Sequence, residues 1–301
     1  MDLQTFERKR LQLFRDNDFA GDSQRITDRD GRSTYLIGRG EGQRPTILLH
    51  GGLSEASIWC LLAERIPGRV IIPDRPGCGL SYRIDYRGLD YRMAAADWLL
   101  DLADGLDADQ VDLVASSMGG FFAMAFATRH PERVRRLVLT GAPAGLDTEL
   151  PLFPRLWGNP IIGSVIGKLA AKTKSPEDLR KRVFPLLVAH PESLSLEFLE
   201  IGLAALNLPG AGVAAHTMLR SVTTMRGWRR QLMMRDDLAK LPVPTLFVWG
   251  DKDAFAPPSS GEDMVARMAN AEIEIIEDVG HLPFLDQPAT IAAIINPFLA
   301  S

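Results

Sequence analysis

Ser117 closes the run Val111-Asp112-Leu113-Val114-Ala115-Ser116, and Met118-Gly119-Gly120 follows it as the start of an apolar helix that continues to His130. A serine at the tip of such a strand-to-helix turn is pushed out of the sheet edge. Small residues two before and two after it let the strand and helix backbones approach closely. Ala115 and Gly119 occupy those positions; glycine is usual at the first, and the alanine keeps the side chain small. The chemistry open to such a serine is nucleophilic attack on an acyl carbon. Its hydroxyl does this well only when an imidazole takes the proton and a buried carboxylate fixes the imidazole tautomer.

Five histidines could supply that imidazole. His130 sits at a helix end before Pro131-Glu132, which suits a capping or surface role, and His190 and His216 fall in a long helical stretch away from the sheet strands. His50 ends a strand and precedes Gly51-Gly52, where it reads as a structural residue tying loops together. His281 follows the last strand in Val279-Gly280-His281, and loops at the carboxyl ends of sheet strands are where α/β sites form. For the carboxylate, Trp249-Gly250-Asp251-Lys252-Asp253 leaves the preceding strand at the same sheet end, and either aspartate could orient a histidine. Asp253 is the better candidate because it lies farther into the loop, where it can turn back. The order Ser117, Asp253, His281 is the order this kind of sheet produces.

Acyl transfer also needs donors aimed at the developing oxyanion. The Met118 N–H opens a helix and has no intrahelical acceptor, and the Gly52 N–H can supply a second donor from a loop that must approach substrate. Gly77 and Gly79 tighten the loop Asp74-Arg75-Pro76-Gly77-Cys78-Gly79-Leu80-Ser81; it has no lysine and is unlike a phosphate-binding loop, which removes nucleotide binding.

The elements that must hold these residues alternate. An amphipathic helix is predicted over 3–14, with Leu3, Phe6, Leu11 and Phe14 as its apolar positions. A hairpin follows around Asp30-Gly31, from strands at 24–27 and 34–37. Short apolar strands at 46–49, 69–72, 111–116 and 134–139 are separated by helices at 57–64, 91–106 and 121–130. Their lack of clear apolar-polar alternation fits a parallel sheet covered by helices on both faces. The rhythm then stops. From 144 to 238 the text holds Leu, Ala and Met-rich helical pieces interrupted by prolines and no strand-like run, and it reads as a helical cap over one end of the sheet. A strand at 245–249, a helix at 259–268, a strand at 272–276 and a helix over 289–295, ended by Pro297, complete the chain. The domain reading is an α/β core from 1–143 and 239–301 with a cap at 144–238. Cap residues such as Phe153, Leu156, Ile161, Ile162, Phe184, Leu196, Phe198 and Leu206 are expected mostly as helix-packing core, with a few lining an apolar pocket.

The 301 residues carry 24% charged and 46% hydrophobic side chains and a formal charge of -4, ordinary for a globular protein. Basic residues are scattered in ones and twos, and Arg226, Arg229 and Arg230 read as a solvated helix face, so no basic stripe invites nucleic acid. Cys60 and Cys78 form no disulfide framework or metal-ligand spacing and read as small buried hydrophobes. No apolar run reaches membrane-spanning length and the N-terminus lacks a signal-peptide core, so a cytoplasmic location is expected. Nothing in the text sets an oligomeric state.

Taken together, His50-Gly51-Gly52, the loop Asp74 to Ser81, Ser117-Met118-Gly119-Gly120, Pro131-Glu132-Arg133-Val134, Trp249-Gly250-Asp251-Lys252-Asp253 and Gly280-His281 resemble, in order, the motifs of the α/β-hydrolase superfamily, in particular its capped members. The resemblance implies an α/β-hydrolase fold: a mostly parallel eight-stranded sheet flanked by helices, with an inserted helical cap. It puts the nucleophile on Ser117, the acid on Asp253, the base on His281 and the oxyanion donors on Gly52 and Met118. No metal or organic cofactor is implied. Dehalogenase and epoxide-hydrolase relatives carry aspartate at the nucleophile position, against Ser117. Carbon-carbon-bond hydrolases of aromatic degradation usually have Gly-Asn before the serine and Trp after the histidine, where this chain has Ala115-Ser116 and Leu282. The Ser-Met-Gly-Gly string is also similar to cofactor-free haloperoxidases, whose machinery is that of an esterase. The expectation is hydrolysis of a small to medium, largely apolar carboxylic ester through an acyl-enzyme. The alternatives are a lactonase or carbon-carbon-bond hydrolase with the same triad, or a non-catalytic ligand-binding member of the fold.

Overall fold

The strands Thr46–Leu49, Val70–Pro73, Val111–Ser116 and Thr245–Gly250 are buried at every position, which is why none of them alternates in sequence. The structure is a computed structural model and describes residues 1–146, 150–163, 165 and 175–301. In chain order its strands are β1 (Asp22–Thr27), β2 (Ser33–Arg39), β3 (Thr46–Leu49), β4 (Val70–Pro73), β5 (Val111–Ser116), β6 (Val134–Thr140), the short β7 (Thr223–Thr224) and β8 (Gly227–Trp228), β9 (Thr245–Gly250) and β10 (Ala271–Ile276). Eight of them form one sheet in the order β1-β2-β4-β3-β5-β6-β9-β10. The β1–β2 hairpin and the β2–β4 pairing are antiparallel, and the pairings from β4 to β10 are parallel. This is the α/β-hydrolase arrangement that the sequence implied.

The described helices are α1 (Leu3–Asp16), α2 (Cys60–Ala63), α3 (Tyr91–Gly105), α4 (Met118–Arg129), α5 (Leu152–Trp157), α6 (Pro176–Arg182), α7 (Leu196–Leu206), α8 (Ala211–Val222), α9 (Arg235–Leu238), α10 (Pro258–Val265), α11 (Pro283–Asp286) and α12 (Pro288–Ala300). One face of the sheet is covered by α3 and α4, with Trp98, Phe121, Phe122 and Phe126 in the layer between. The other is covered by α1, α2 and α12, around Phe6, Trp59, Phe284 and Ile291. Helix α4 is buried from Met118 to Ala127. Its three phenylalanines each contribute about 2–3 kcal/mol of burial, enough to hold a helix that opens with two glycines.

Several expectations need correction. The stretch 144–238 is not free of strands among the described residues, because Thr223–Thr224 and Gly227–Trp228 form a two-residue ladder. Its apolar residues are less buried than expected: Phe184 and Phe198 are packed, Leu156 is half-buried, and Phe153, Ile161, Ile162, Leu196 and Leu206 are exposed. What this stretch does bury joins the layers of the sheet, Leu179 and Leu199 beside α1 and α2, Met218 and Leu219 beside α3 and α4. Arg226, Arg229 and Arg230 share no helix face, lying on the β7–β8 turn and the segment after β8. Helix α12 runs through Pro297 to Ala300, because a proline in the last turn forfeits a single bond and the Ser301 N–H still reaches the Pro297 carbonyl. In α1 the buried stripe is Phe6, Arg10, Leu13 and Phe14, whereas Leu3 is exposed.

Candidate active site

Parallel strands deliver their carboxyl ends to one sheet edge, and from that edge depart His50 after β3, Asp74 after β4, Ser117 after β5, Gly141 after β6, Asp253 after β9 and His281 after β10. Strand β3 has β4 on one side and β5 on the other, so the direction of sheet growth reverses there. Open α/β sheets bind their ligands at such a switch point. The loop after β3 and the turn after β5 flank it.

Ser117 holds φ 51° and ψ -117°, left-handed backbone in a residue with a side chain. Such a conformation costs about 1–3 kcal/mol and survives only where the surroundings enforce it. They do so here by close backbone approach: a Cβ at Gly119 would run into the carbonyls of Leu49 and His50. A Cβ at Gly51 would lie 3.3 Å from Ser117 Cβ and 3.8 Å from Ser117 Oγ. The serine is half-buried against the β3 loop.

Asp253 and His281 meet directly. His281 Nδ1 is 2.9 Å from Asp253 Oδ2 and 3.0 Å from Oδ1. The two oxygens also accept the backbone N–H of Ala142 (2.8 Å, Oδ2) and of Phe255 (2.8 Å, Oδ1). Burial pushes the Asp253 carboxyl upward, but the charge and hydrogen bond of His281 and the two backbone bonds outweigh it and hold the group below the usual carboxylate range. The Phe255 ring stacks on the imidazole at 4.0 Å between centroids. The opposite ring nitrogen, His281 Nε2, is buried and has no hydrogen-bond partner, so the Ser117 hydroxyl does not bond to it in this structure. The segment after β6 ties the two parts together. Its Gly141 N–H bonds to the Val248 carbonyl (2.8 Å), Ala142 bonds to Asp253, and the Ala144 N–H bonds to the Ser117 carbonyl (3.0 Å).

Gly52 and Met118 are neighbours across the switch point. A Cβ at Gly52 would lie 3.7 Å from Met118 Cβ and 3.6 Å from the Met218 Cε of α8. The loop bearing Gly52 is fastened from below by Arg75. Its Nε donates to the His50 carbonyl (2.8 Å) and its second guanidinium nitrogen to the Gly51 carbonyl (2.5 Å). The Arg75 backbone N–H donates to His50 Nε2 (2.9 Å), which leaves the His50 proton on Nδ1, 2.9 Å from the Gly51 carbonyl. Burial, followed by the Arg75 charge, depresses the His50 pKa well below its ordinary value. His50 is a neutral structural tie, as its sequence context suggested.

The remaining candidates stand apart. Asp251 is exposed and accepts the Val279 N–H at 3.3 Å. His130 packs on Phe126, His216 bonds to the Trp157 carbonyl, and His190 is at the surface beside Asp278. Cys60 is buried, and burial pushes its thiol pKa up. Sequence reasoning missed Phe255, the anchoring by Arg75, and a cluster beneath it. Arg10 of α1, fully buried, meets Glu55 Oε2 at 2.7 Å and Asp74 at 2.8 and 2.9 Å. The signal was available, since Arg10 falls four residues after Phe6 on the apolar stripe of α1.

An eight-stranded, mostly parallel sheet with a strained serine at the switch point and a carboxylate-histidine pair beyond it defines a hydrolase-type α/β protein. A family model described as "Alpha/beta hydrolase family" matches residues 46–294, and the chain belongs to that family. An uncharacterised protein of Mycobacterium tuberculosis is 31% identical over 283 residues, covering 86% of this chain and 76% of the other. The pimeloyl-[acyl-carrier protein] methyl ester esterase of Neisseria meningitidis is 29% identical over 254 residues, covering 84% and 91%. Among solved structures, a point mutant of a meta-cleavage product hydrolase (CumD) superposes with a TM-score of 0.75 at 24% identity, covering 92% of this chain and 97% of that one. Among the described residues, no single helix is long and apolar enough to cross a membrane.

Proposed function

We propose that the protein is a serine carboxylic-ester hydrolase that acts through an acyl-enzyme. The observation that carries this reading is the state of His281: one ring nitrogen is held by a buried carboxylate, and the other is buried with no partner. An unsatisfied buried nitrogen costs about 1–3 kcal/mol, and a general base is one use that offsets it. His281 Nε2 removes the Ser117 proton as Oγ attacks the ester carbonyl. Asp253 keeps the Nδ1–H tautomer and stabilises the imidazolium, the Gly52 and Met118 N–H groups receive the oxyanion, and the protonated His281 then protonates the departing alcohol. Water, deprotonated by the same histidine, attacks the acyl-serine and releases the acid. No cofactor enters these steps.

Residues 144–238 form the proposed cap. Met218 beside Gly52 presents an apolar side chain to the oxyanion loop, which favours an apolar group on the substrate. The Neisseria relative named as a methyl ester esterase supports ester chemistry, and Ala115-Ser116 and Leu282 depart from the carbon-carbon hydrolase pattern. The test is hydrolysis of p-nitrophenyl esters from acetate to long acyl chains by the parent and Ser117→Ala. Activity in the parent that disappears in Ser117→Ala is expected. Turnover of cyclic esters or dienone acids with no turnover of any linear ester would overturn the ester assignment in favour of a lactonase or carbon-carbon hydrolase, and a bound ligand without turnover would favour a receptor.

A further inference from the structure

Asp286 ends α11, five residues after His281, and none of the catalytic steps uses it. Its carboxylate nevertheless accepts three backbone hydrogen bonds that converge from two parts of the chain. Oδ2 takes the Gly280 N–H at 2.8 Å and the Ala189 N–H at 3.0 Å, and Oδ1 takes the His190 N–H at 3.0 Å. Gly280 directly precedes His281; Ala189 and His190 belong to the proposed cap. On the other side of the histidine the Leu282 N–H donates to the Leu187 carbonyl at 2.7 Å. Both peptide N–H groups flanking the imidazole-bearing residue therefore end on the segment 187–190 or on the side chain that holds it.

The fit at this seam is close. A Cβ on Gly280 would lie 2.8 Å from Val188 Cα, 2.9 Å from the Val188 carbonyl carbon and 3.0 Å from the Ala189 nitrogen, so the two backbones pack with no side chain between them. Three donors meeting at one point need an acceptor-only group with two oxygens. An ionised carboxylate meets that requirement, whereas a carboxamide would turn an N–H group toward at least one of the donors.

We propose that Asp286 is a positioning residue that fastens the catalytic-histidine loop to the proposed cap, so that the placement of His281 Nε2 depends on segment 187–190 being docked. The inference rests on the serine-hydrolase reading above. Asp253 fixes the ring about its Nδ1 bond, but the height of that ring over Ser117 follows the backbone at 280–282, and Asp286 sets that backbone against the cap. Misplacing a catalytic group by about 1 Å costs on the order of 100-fold in rate.

The experiment compares the parent, Asp286→Asn, Asp286→Glu and Ser117→Ala in two assays at a temperature where circular dichroism shows all of them folded: ester turnover, and the rate of labelling by a fluorophosphonate probe, which requires the Ser117–His281 pair but no natural substrate. Asp286→Asn is expected to lower kcat and the labelling rate together by about 10- to 100-fold while KM stays within about twofold, with Asp286→Glu recovering part of the loss. A merely structural carboxylate would lower the melting temperature and leave kcat of the folded protein alone. Should Asp286→Asn fail to fold, Gly280→Ala, which wedges the same seam, is expected to give the same fall in kcat. A folded Asp286→Asn protein that turns over and labels like the parent overturns the positioning role and leaves the serine-hydrolase reading standing. A parent that neither labels nor turns over esters removes both.

Discussion

The Asp253 carboxylate and the Ala142 backbone N–H are hydrogen-bonded at 2.8 Å through Oδ2, the same oxygen that stands 2.9 Å from His281 Nδ1. Two residues later the Ala144 N–H bonds to the Ser117 carbonyl. The short segment after β6 thus sets the spacing between the Asp253–His281 pair and Ser117 through its main-chain N–H groups. Asp253→Asn must place an NH2 against either Ala142 or Phe255, or present it to His281 and force the wrong tautomer. It is expected to reduce kcat by roughly 10³- to 10⁴-fold with KM little changed. Steady-state kinetics on the best ester checks this.

The backbone at Ser117 carries strain that glycine would release. Relief of about 1–3 kcal/mol is set against about 0.5–1 kcal/mol for the extra freedom of glycine in the unfolded chain. Ser117→Gly is therefore expected to be about 1 kcal/mol more stable than Ser117→Ala, with neither expected to turn over ester. Urea unfolding of the two variants, with equal slopes, measures the difference; a Ser117→Gly midpoint below that of Ser117→Ala, by the roughly 0.5–1 kcal/mol that glycine's freedom costs, would mean that the turn stores no strain.

Arg10 is the cation paired with both Glu55 and Asp74 inside the protein, and burial, partly offset by the Arg10 charge, pushes the Glu55 carboxyl up. Arg10→Met leaves two carboxylates buried without a cation and is expected to cost about 3–5 kcal/mol at pH 8. In the variant the folded-state pKa of Glu55 lies further above its unfolded value, so the folded protein takes up a proton as pH falls and the loss shrinks toward pH 5. Denaturant titrations at the two pH values check both the size and the sign.

His190 bridges Asp278 (2.9 Å) and Glu192 (3.3 Å), and these partners raise its pKa, while Lys252 and His190 lower that of Asp278. A raised histidine pKa contributes stability that is fully present below its unfolded value of about 6.5 and is lost as pH rises through the folded value. The melting temperature of the parent is expected to exceed that of His190→Gln at pH 5.5 and to match it at pH 9. The difference should be small, since both side chains are about half exposed and solvent screens the pair.

The local sequence marked most of the elements and nominated residues of the candidate site. Ala115 and Gly119 mark the turn at Ser117 because their small side chains are a steric condition for it, and a steric condition is written in residue types. Asp30-Gly31 fixed the hairpin for the same reason, and short uniform apolar runs announced a sheet covered on both faces. The sequence could nominate Asp253 over Asp251 only by loop position. Tertiary structure separates them physically, since Asp253 is buried against His281 while Asp251 faces solvent. It alone also decided where a buried charge finds its partners. Arg10, Glu55 and Asp74 are distant in the chain, and no local pattern records that they meet. The same holds for Asp286, whose three donors come from Gly280 nearby and from Ala189 and His190 almost a hundred residues away. The exposure of Ile161 and Phe153 was hidden too, because whether an apolar helix face is covered depends on what packs against it. Turn sterics act between adjacent residues and are legible one position at a time; burial and convergent hydrogen bonding are properties of the assembled chain.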